Sequence, residues 1–441
     1  MVSALEIPVV DINSFIYEPQ KIWDTYLPPE YQGIARTALW HQIDDAGNVI
    51  TVLNGEPAPP LNGTKIVRQA IWRPGLTIEE IGQLDPDTFH ALNPGASDPE
   101  ARLKDMDAVG VDQALLFPTI FSEYFPLVRD PVAAGALARA YNDWIWDFAQ
   151  AAPGRLHPVA VLPLQSISLA LDELKRVEER GFKGVVLRPM LYQAHVTRSR
   201  NPMAQMRNAM LRAGAQGGPS LLAGLAREAR DKGRGEWIYL DDDHFQPVWK
   251  ALAESGLVAC VHPALGIANP EPVSEASFIE RVAANLNIGH PVSEVVAPMQ
   301  DNLTFLTAIL FHGLLEDLPD LKLALVGANG ASLPLALEKA ETYLWLGGQT
   351  AITEVSLNTE RVWEDARSIL GFEGWETPIG EMVDIFGEKA NWGSRYPYHD
   401  TTTPDETIQM LEASSVEAEQ IQRYLGGNAA KLFGLKLSAP A

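Results

Sequence analysis

The sequence predicts an α/β protein folded as a (β/α)8 barrel. It carries an N-terminal hairpin excursion and a long insertion after the fourth strand. Three observations lead there. Eight short apolar runs are separated by helical patterns along the chain, the count and alternation of a parallel barrel. The chain has 441 residues, 46% of them hydrophobic and 21% charged, enough to build one large core. The alternative, a doubly wound open sheet, is weakened because no Gly-x-Gly-x-x-Gly turn follows the first strand.

The first strand opens at the apolar run Ile7 to Val10, bounded by prolines, and continues toward Glu18-Pro19. Strand alternation places Asp11, Asn13 and Phe15 on one face and Ile12 and Ser14 on the other. Residues 20–99 are rich in Trp, Tyr and Pro and read as an excursion. Its turn signals Asn54-Gly55 and Asn62-Gly63 lie among Ile50–Leu53 and Lys65–Ala70, which predicts a small hairpin. Asp98 suits the start of a helix that stops near Gly110. Val111–Pro118 is the second strand, Leu156–Pro163 the third and Phe182–Pro189 the fourth. Helices Pro131–Ala151 and Ser168–Arg180 lie between them, stopped by Pro153-Gly154 and Gly181.

Residues 190–243 break the pattern. They carry Arg198, Arg200, Arg207, Arg212, Arg227, Arg230, Lys232 and Arg234, and are too long for an ordinary connection. They read as an insertion, either a lid or an oligomer contact. The basic residues serve either an anionic substrate tail or a solvated helix pair. Alternation then resumes with helix Phe245–Ser255, fifth strand Leu257–His262, helix Thr304–Asp317 and sixth strand Leu321–Ala328. Helix Ala331–Trp345, a seventh strand at Ile352–Leu357 and an eighth at Lys389–Ser394 follow, then closing helices from Pro404 and over Val416–Phe433. The whole of 1–441 is expected to be one barrel domain.

Charge excludes some partners. Lys and Arg total 34 against 57 Asp and Glu, a formal net charge of −23, which repels nucleic acid and anionic membrane. Cys260 is the sole cysteine, so neither an internal disulfide nor a thiolate zinc cluster is available. Met1 to Pro8 lacks the basic flank and apolar core of a signal peptide, and no apolar run reaches a membrane span. A soluble, cytoplasmic chain is expected.

Barrel chemistry sits at the C-terminal ends of the strands. The polar residues predicted there are Asp11, Asn13, Arg188, His262, Asn329, Arg395, Tyr398 and His399. His262 follows Val258 and Cys260 at period two and ends its strand before Pro263; it is either a site residue or a partly buried histidine bonded to backbone. Arg188 in Leu187-Arg188-Pro189 suits a bidentate carboxylate pair, or else a rim salt bridge.

Taken with Glu18-Pro19, the Val9-Val10-Asp11-Ile12-Asn13-Ser14-Phe15 strand resembles the first strand of the amidohydrolase superfamily. The branch concerned is the amidohydrolase-related one that includes metal-dependent decarboxylases. The resemblance extends through the Arg-Pro at 188–189, the Val-His-Pro at 261–263, Trp392-Gly393-Ser394-Arg395-Tyr396-Pro397-Tyr398-His399, and the closing Gly427-Asn428-Ala429-Ala430-Lys431-Leu432-Phe433. It implies a metal bound by side chains at 13, 15 and 262, a metal-ligand and general-base Asp at 395, a His at 398 and a carboxylate near 328. This chain instead has Asn13, Phe15, Ala328, Arg395 and Tyr398, retaining His262. A phenyl ring has no lone pair, an amide oxygen is a weak ligand, and a fixed cation opposes a divalent one. No metal and no other cofactor is therefore expected.

Two functions follow. In the first, the chain is an enzyme performing metal-independent hydrolysis, hydration or decarboxylation of a small carboxylated or aromatic compound. Arg395 then replaces the metal and pairs with Asp11 inside the barrel mouth. His262 or His399 moves protons while Asp11 orients, and Arg188, Asn13, Tyr398 and Asn329 bind an anionic substrate. In the second, it is a non-catalytic subunit paired with a metal-competent relative. Either way a homodimer, or a complex with a related amidohydrolase-like chain, is expected.

Overall fold

The computed structural model describes residues 7–43, 49–57, 70–85, 90–193, 236–263, 292–327, 330–348 and 355–437. Strand β1 spans Val10–Ile16 and is buried along its whole length, because it lies inside the barrel wall and packs on both faces. After it come β2 (Leu39–Ile43), β3 (Val49–Leu53) and β4 (Glu56–Pro57), which form a separate antiparallel sheet. The Asn54-Gly55 turn is where the sequence places it. Both residues have left-handed φ, 52° and 86°, as a two-residue hairpin turn requires. Asn54 also fastens the excursion to the barrel: its amide donates to Leu127 O and accepts from Arg129 N, both at 2.9 Å. Asn62-Gly63 and most of Lys65–Ala70 lie outside the described residues.

The barrel is completed by β5 (Gln113–Pro118), β6 (Leu156–Val161), β7 (Gly184–Leu187), β10 (Val258–Val261), β11 (Lys322–Leu325), β12 (Arg367–Phe372) and β13 (Ala390–Trp392). They stand in the order β1-β5-β6-β7-β10-β11-β12-β13, with every pairing parallel. Between β7 and β10 a two-stranded antiparallel ribbon, β8 (Met190–Gln193) and β9 (Glu236–Tyr239), ties together the ends of the predicted insertion; residues 194–235 lie outside the described residues. The first and last strands meet across a seam of individual bonds. Arg395 N donates to Asn13 O at 2.9 Å, Phe15 N to Tyr396 O at 2.7 Å and Asn391 Nδ2 to Val10 O at 3.1 Å. Gly393 permits this approach, since a Cβ there would stand 2.5 Å from Asn13 Cβ.

Local signals explain the helices. Asp98 caps Pro99–Val109 by accepting from Ala101 N at 2.8 Å, Pro99 occupies the first turn, and Gly110 ends the helix at φ 76°. Ser166 and Gly181 bracket Ile167–Arg180 in the same manner. One element was misplaced. The seventh strand is not Ile352–Leu357 but β12, with helix Thr359–Asp365 before it. Residues 351–354 lie outside the described residues, and 355–357 carry no strand. Arg367-Ser368 at one end and Gly371 near the other interrupt the apolar run by which β12 would be recognised.

Candidate functional site

Strand β1 does not present its residues by simple alternation. The register with β5 slips between Asp11 and Ser14, a bulge that turns both side chains into the same small cavity. That cavity measures about 20 Å³, room for a single water, and Arg102, Trp392, Ser394 and Tyr396 help to line it. The Asp11 carboxylate accepts from Ser394 N at 2.9 Å, from Asn13 N at 3.0 Å and from Ser394 Oγ. Burial raises its pKa, against the pull of the Ser394 bonds. Arg102, fully buried, lies 4.0 Å over the Tyr396 ring and donates to Ser14 Oγ at 2.7 Å and Gly95 O at 2.8 Å. The expected Asp11–Arg395 pair is therefore replaced: the bulge carries Asp11 away, and Ser394 satisfies it.

Asn13, within the bulge, and Phe15, beyond it, face His262. The Phe15 ring meets the imidazole edge-on at 5.5 Å, Phe117 lies 6.2 Å from it, and Tyr398 packs 5.0 Å from Phe15. His262 Nδ1 lies 3.0 Å from Pro263 O, which can only accept, and 3.2 Å from Arg188 Nη1, which can only donate, so the two contacts compete for this nitrogen. Nε2 is buried without a hydrogen-bond partner, and so is Asn13 Oδ1. Gly327, at φ 60°, closes this cradle. A Cβ there would stand 3.3 Å from His262 Nε2 and 3.6 Å from Asn13 Nδ2. Burial, then the charges of Arg188 and Arg395, hold the His262 pKa well below its usual value, so the ring is neutral. Arg188 is buried beneath it. Its guanidinium donates to Ser122 Oγ at 2.9 Å, to Ser122 O at 3.2 Å and to Pro263 O. Arg188 braces the histidine loop, a contact the sequence did not foretell.

Arg395 follows β13 at φ 62°, a left-handed conformation unusual for a residue with a Cβ. Its Nε donates to Asp400 Oδ2 at 2.8 Å and lies 3.6 Å from Glu373 Oε1. Burial opposes its charge, but the two carboxyls outweigh burial and hold its pKa above the ordinary guanidinium value. Asp400 is held low by Arg395 despite burial. Burial pushes Glu373 up to about 8 against the pull of Arg395, with Asp400 and Glu376 adding to the rise. Glu376 is pushed up to about 7 by burial, although Glu373 N donates to it at 2.9 Å and Ala331 N at 3.2 Å. His399 is half-buried beside Asp400, Nδ1 to Oδ1 3.8 Å. Asn329 lies outside the described residues.

As a donor set for a divalent cation this mouth fits poorly. It offers one neutral imidazole nitrogen and one amide oxygen, against a phenyl ring and a nearby guanidinium. Among the described residues, no three of His, Cys, Asp or Glu stand together so as to hold a metal. The structure brings Asn13, Phe15 and His262 together at one end of the barrel, with Arg395 near enough for its charge to act on His262. Sequence reasoning missed Glu373 and Glu376, because the strand that delivers them was assigned elsewhere. It also missed Ser122 and Arg102, which carry no motif, and the role of Ser394, which lies within the Trp392-Gly393-Ser394 motif but holds Asp11.

The family model described as amidohydrolase matches residues 88–435. A decarboxylase, yanB, of Aspergillus niger is 25% identical over 218 residues, which are 48% of this chain and 54% of that protein; the chain thus matches about half the length of this curated relative. Among solved structures, an amidohydrolase from Mycobacterium avium subsp. paratuberculosis superposes with a TM-score of 0.68 at 17% identity, covering 98% of this chain and 99% of its own. The 5-carboxyvanillate decarboxylase of Sphingomonas paucimobilis gives 0.59 at 18%, covering 98% of this chain and all (100%) of the other. At these identities the structural likeness shows the barrel fold.

Proposed function

We propose, from the premise that this chain belongs to the amidohydrolase family, that it decarboxylates a small aromatic acid without a divalent metal. The observation that carries this reading is the cation at the end of β13. Arg395 is held by Asp400 and Glu373 and is close enough to depress the proton affinity of His262, which sits among aromatic rings. The terminal nitrogens of Arg395 receive the substrate's carboxylate. Phe15, Phe117 and Tyr398 take the ring. His262 Nε2, buried without a partner, hydrogen-bonds the substrate, and Asp11 acts at one remove, holding Ser394 and so the backbone that aims Arg395. The decarboxylases among the relatives support the reaction class. The donor chemistry of the mouth supports metal independence.

Two measurements test it. Elemental analysis of purified protein is expected to find no stoichiometric zinc, manganese or iron. Protein treated with chelator is expected to keep releasing CO2 from an aromatic acid such as 5-carboxyvanillate. Arg395→Met should lower that turnover by about 10²–10³-fold. One tightly bound ion per chain, lost in His262→Ala together with activity, would refute metal independence.

A second reading, a non-catalytic subunit that pairs with a related chain, is favoured by one feature. On helix Leu333–Gly348 the side chains of Leu335, Tyr343, Trp345 and Leu346 are each more than half exposed, a large apolar display for a lone chain. Sedimentation would show a dimer if that face joins two copies. A monomer that releases no CO2 until a related chain is added would support the subunit reading.

No helix among the described residues is long and apolar enough to cross a membrane.

A further inference from the structure

We propose that Glu373 is the proton donor of this site, storing a proton at the barrel mouth and delivering it to the ring carbon that loses CO2. The inference rests on the proposed decarboxylation and adds the residue that reading lacks. His262 cannot fill the role, because burial and two nearby guanidinium groups keep it neutral.

Charge counting at Arg395 selects the donor. One guanidinium faces two buried carboxyls, with Glu376 adjacent as a third. A single cation balances a single anion, and the shorter contact, 2.8 Å against 3.6 Å, assigns that anion to Asp400. Glu376 has two backbone N–H groups to accept from, whereas the Glu373 carboxyl has only the long Arg395 contact. Glu373 is thus the carboxyl for which ionisation is least compensated. Its proton is retained at neutral pH and leaves at about 8. The charged and titratable groups around it are Arg395, Asp400 and Glu376, with His399 behind Asp400.

The step balances. The Glu373 O–H bond breaks and its proton forms a C–H bond at the ring carbon bearing the carboxylate. The bond from that carbon to the carboxylate then breaks, its electron pair returns to the ring, and CO2 leaves. The Glu373 carboxylate regains a proton from water, with Arg395 stabilising the transient anion. No oxidant or second substrate is needed.

The test pairs a readout without substrate with one that needs turnover. Infrared difference spectra of Glu373→Gln against wild type, taken on the full chain through neutral and alkaline pH, are expected to show a protonated-carboxyl band. That band should be lost in the variant and, in wild type, titrate near 8. With 5-carboxyvanillate or 2-hydroxybenzoate as probe, the same variant should lower kcat by about 10²–10⁴-fold while benzoate affinity is kept. The alkaline fall of the wild-type rate should vanish with it. Glu373→Asp retains a carboxyl and should restore the band and part of the rate, which separates proton donation from a packing role. A Glu373→Gln protein with wild-type kcat and an unchanged alkaline limb, or a wild type with no such band, overturns the proposal. A band present in a protein that turns over neither acid overturns the decarboxylase reading instead, so the two fail separately.

Discussion

Arg395 illustrates how a substitution reorganises its surroundings at the scale of a single residue. Placing a guanidinium among Asp400, Glu373 and Glu376 makes two of those carboxyls dependent on it. Removing it as Arg395→Met leaves Asp400 buried without its cation, which should cost about 3 kcal/mol of stability by denaturant unfolding. The loss should grow as pH rises from 5 to 8, because without the cation both carboxyls bind protons more tightly when folded than when unfolded. Glu18 offers a second case. It is buried, accepts from Thr119 N and Thr119 Oγ1 at 2.6 Å each, and burial pushes its pKa up to about 7. The native state holds this proton more tightly than the unfolded chain, so the stability it lends is full below about 4.5 and declines as pH rises through 7. Glu18→Gln should flatten the stability profile in that window by roughly 3 kcal/mol. That Asn13 and His262 end neighbouring parts of one barrel face was legible from strand ends; that Phe117 and Arg188 close on the imidazole was not. Nor was the carboxyl that Arg395 chooses, because Asp400 and Glu373 reach it from a turn and from a neighbouring strand.

Elements show the limit of periodicity. Alternation along β1 would set Asp11 beside Asn13, but the bulge between Asp11 and Ser14 reassigns Asp11 to Ser394 and the Arg102 cavity. Bulges leave no mark in hydrophobic alternation, so only the fold reveals this one. Strand β12 was hidden for a related reason. It starts with Arg367-Ser368 and contains Gly371, where an added Cβ would meet Gly327 N at 3.4 Å and Ile12 Cδ1 at 3.5 Å. The helix starts, by contrast, were legible, since Asp98 and Ser166 act locally as caps. Gly393 makes the element-scale prediction. Gly393→Ala drives a methyl into Asn13 Cβ and should push β13 from β1, destabilising by about 1–3 kcal/mol as a shift in denaturation midpoint.

For the whole molecule, the eight-stranded order and the chain-long likeness to known amidohydrolases were legible from strand count and motif order. The net charge of −23 bears on stability as well as on partners. Self-repulsion of that size should be relieved by salt, so the melting temperature should rise between roughly 0.01 and 0.15 M sodium chloride as the screening length contracts.

The barrel seam has a further consequence. Where other neighbouring strands share a ladder of paired backbone, β1 and β13 are joined through Val10, Asn13, Phe15, Asn391, Arg395 and Tyr396. Three of these, Asn13, Phe15 and Arg395, also form the mouth. The wall that must part for the barrel to breathe is thus built from the residues a ligand would touch. The amide protons of Phe15 and Arg395 become a clock for that breathing: each exchanges with deuterated solvent only when the seam opens, and a molecule gripping the mouth slows the clock.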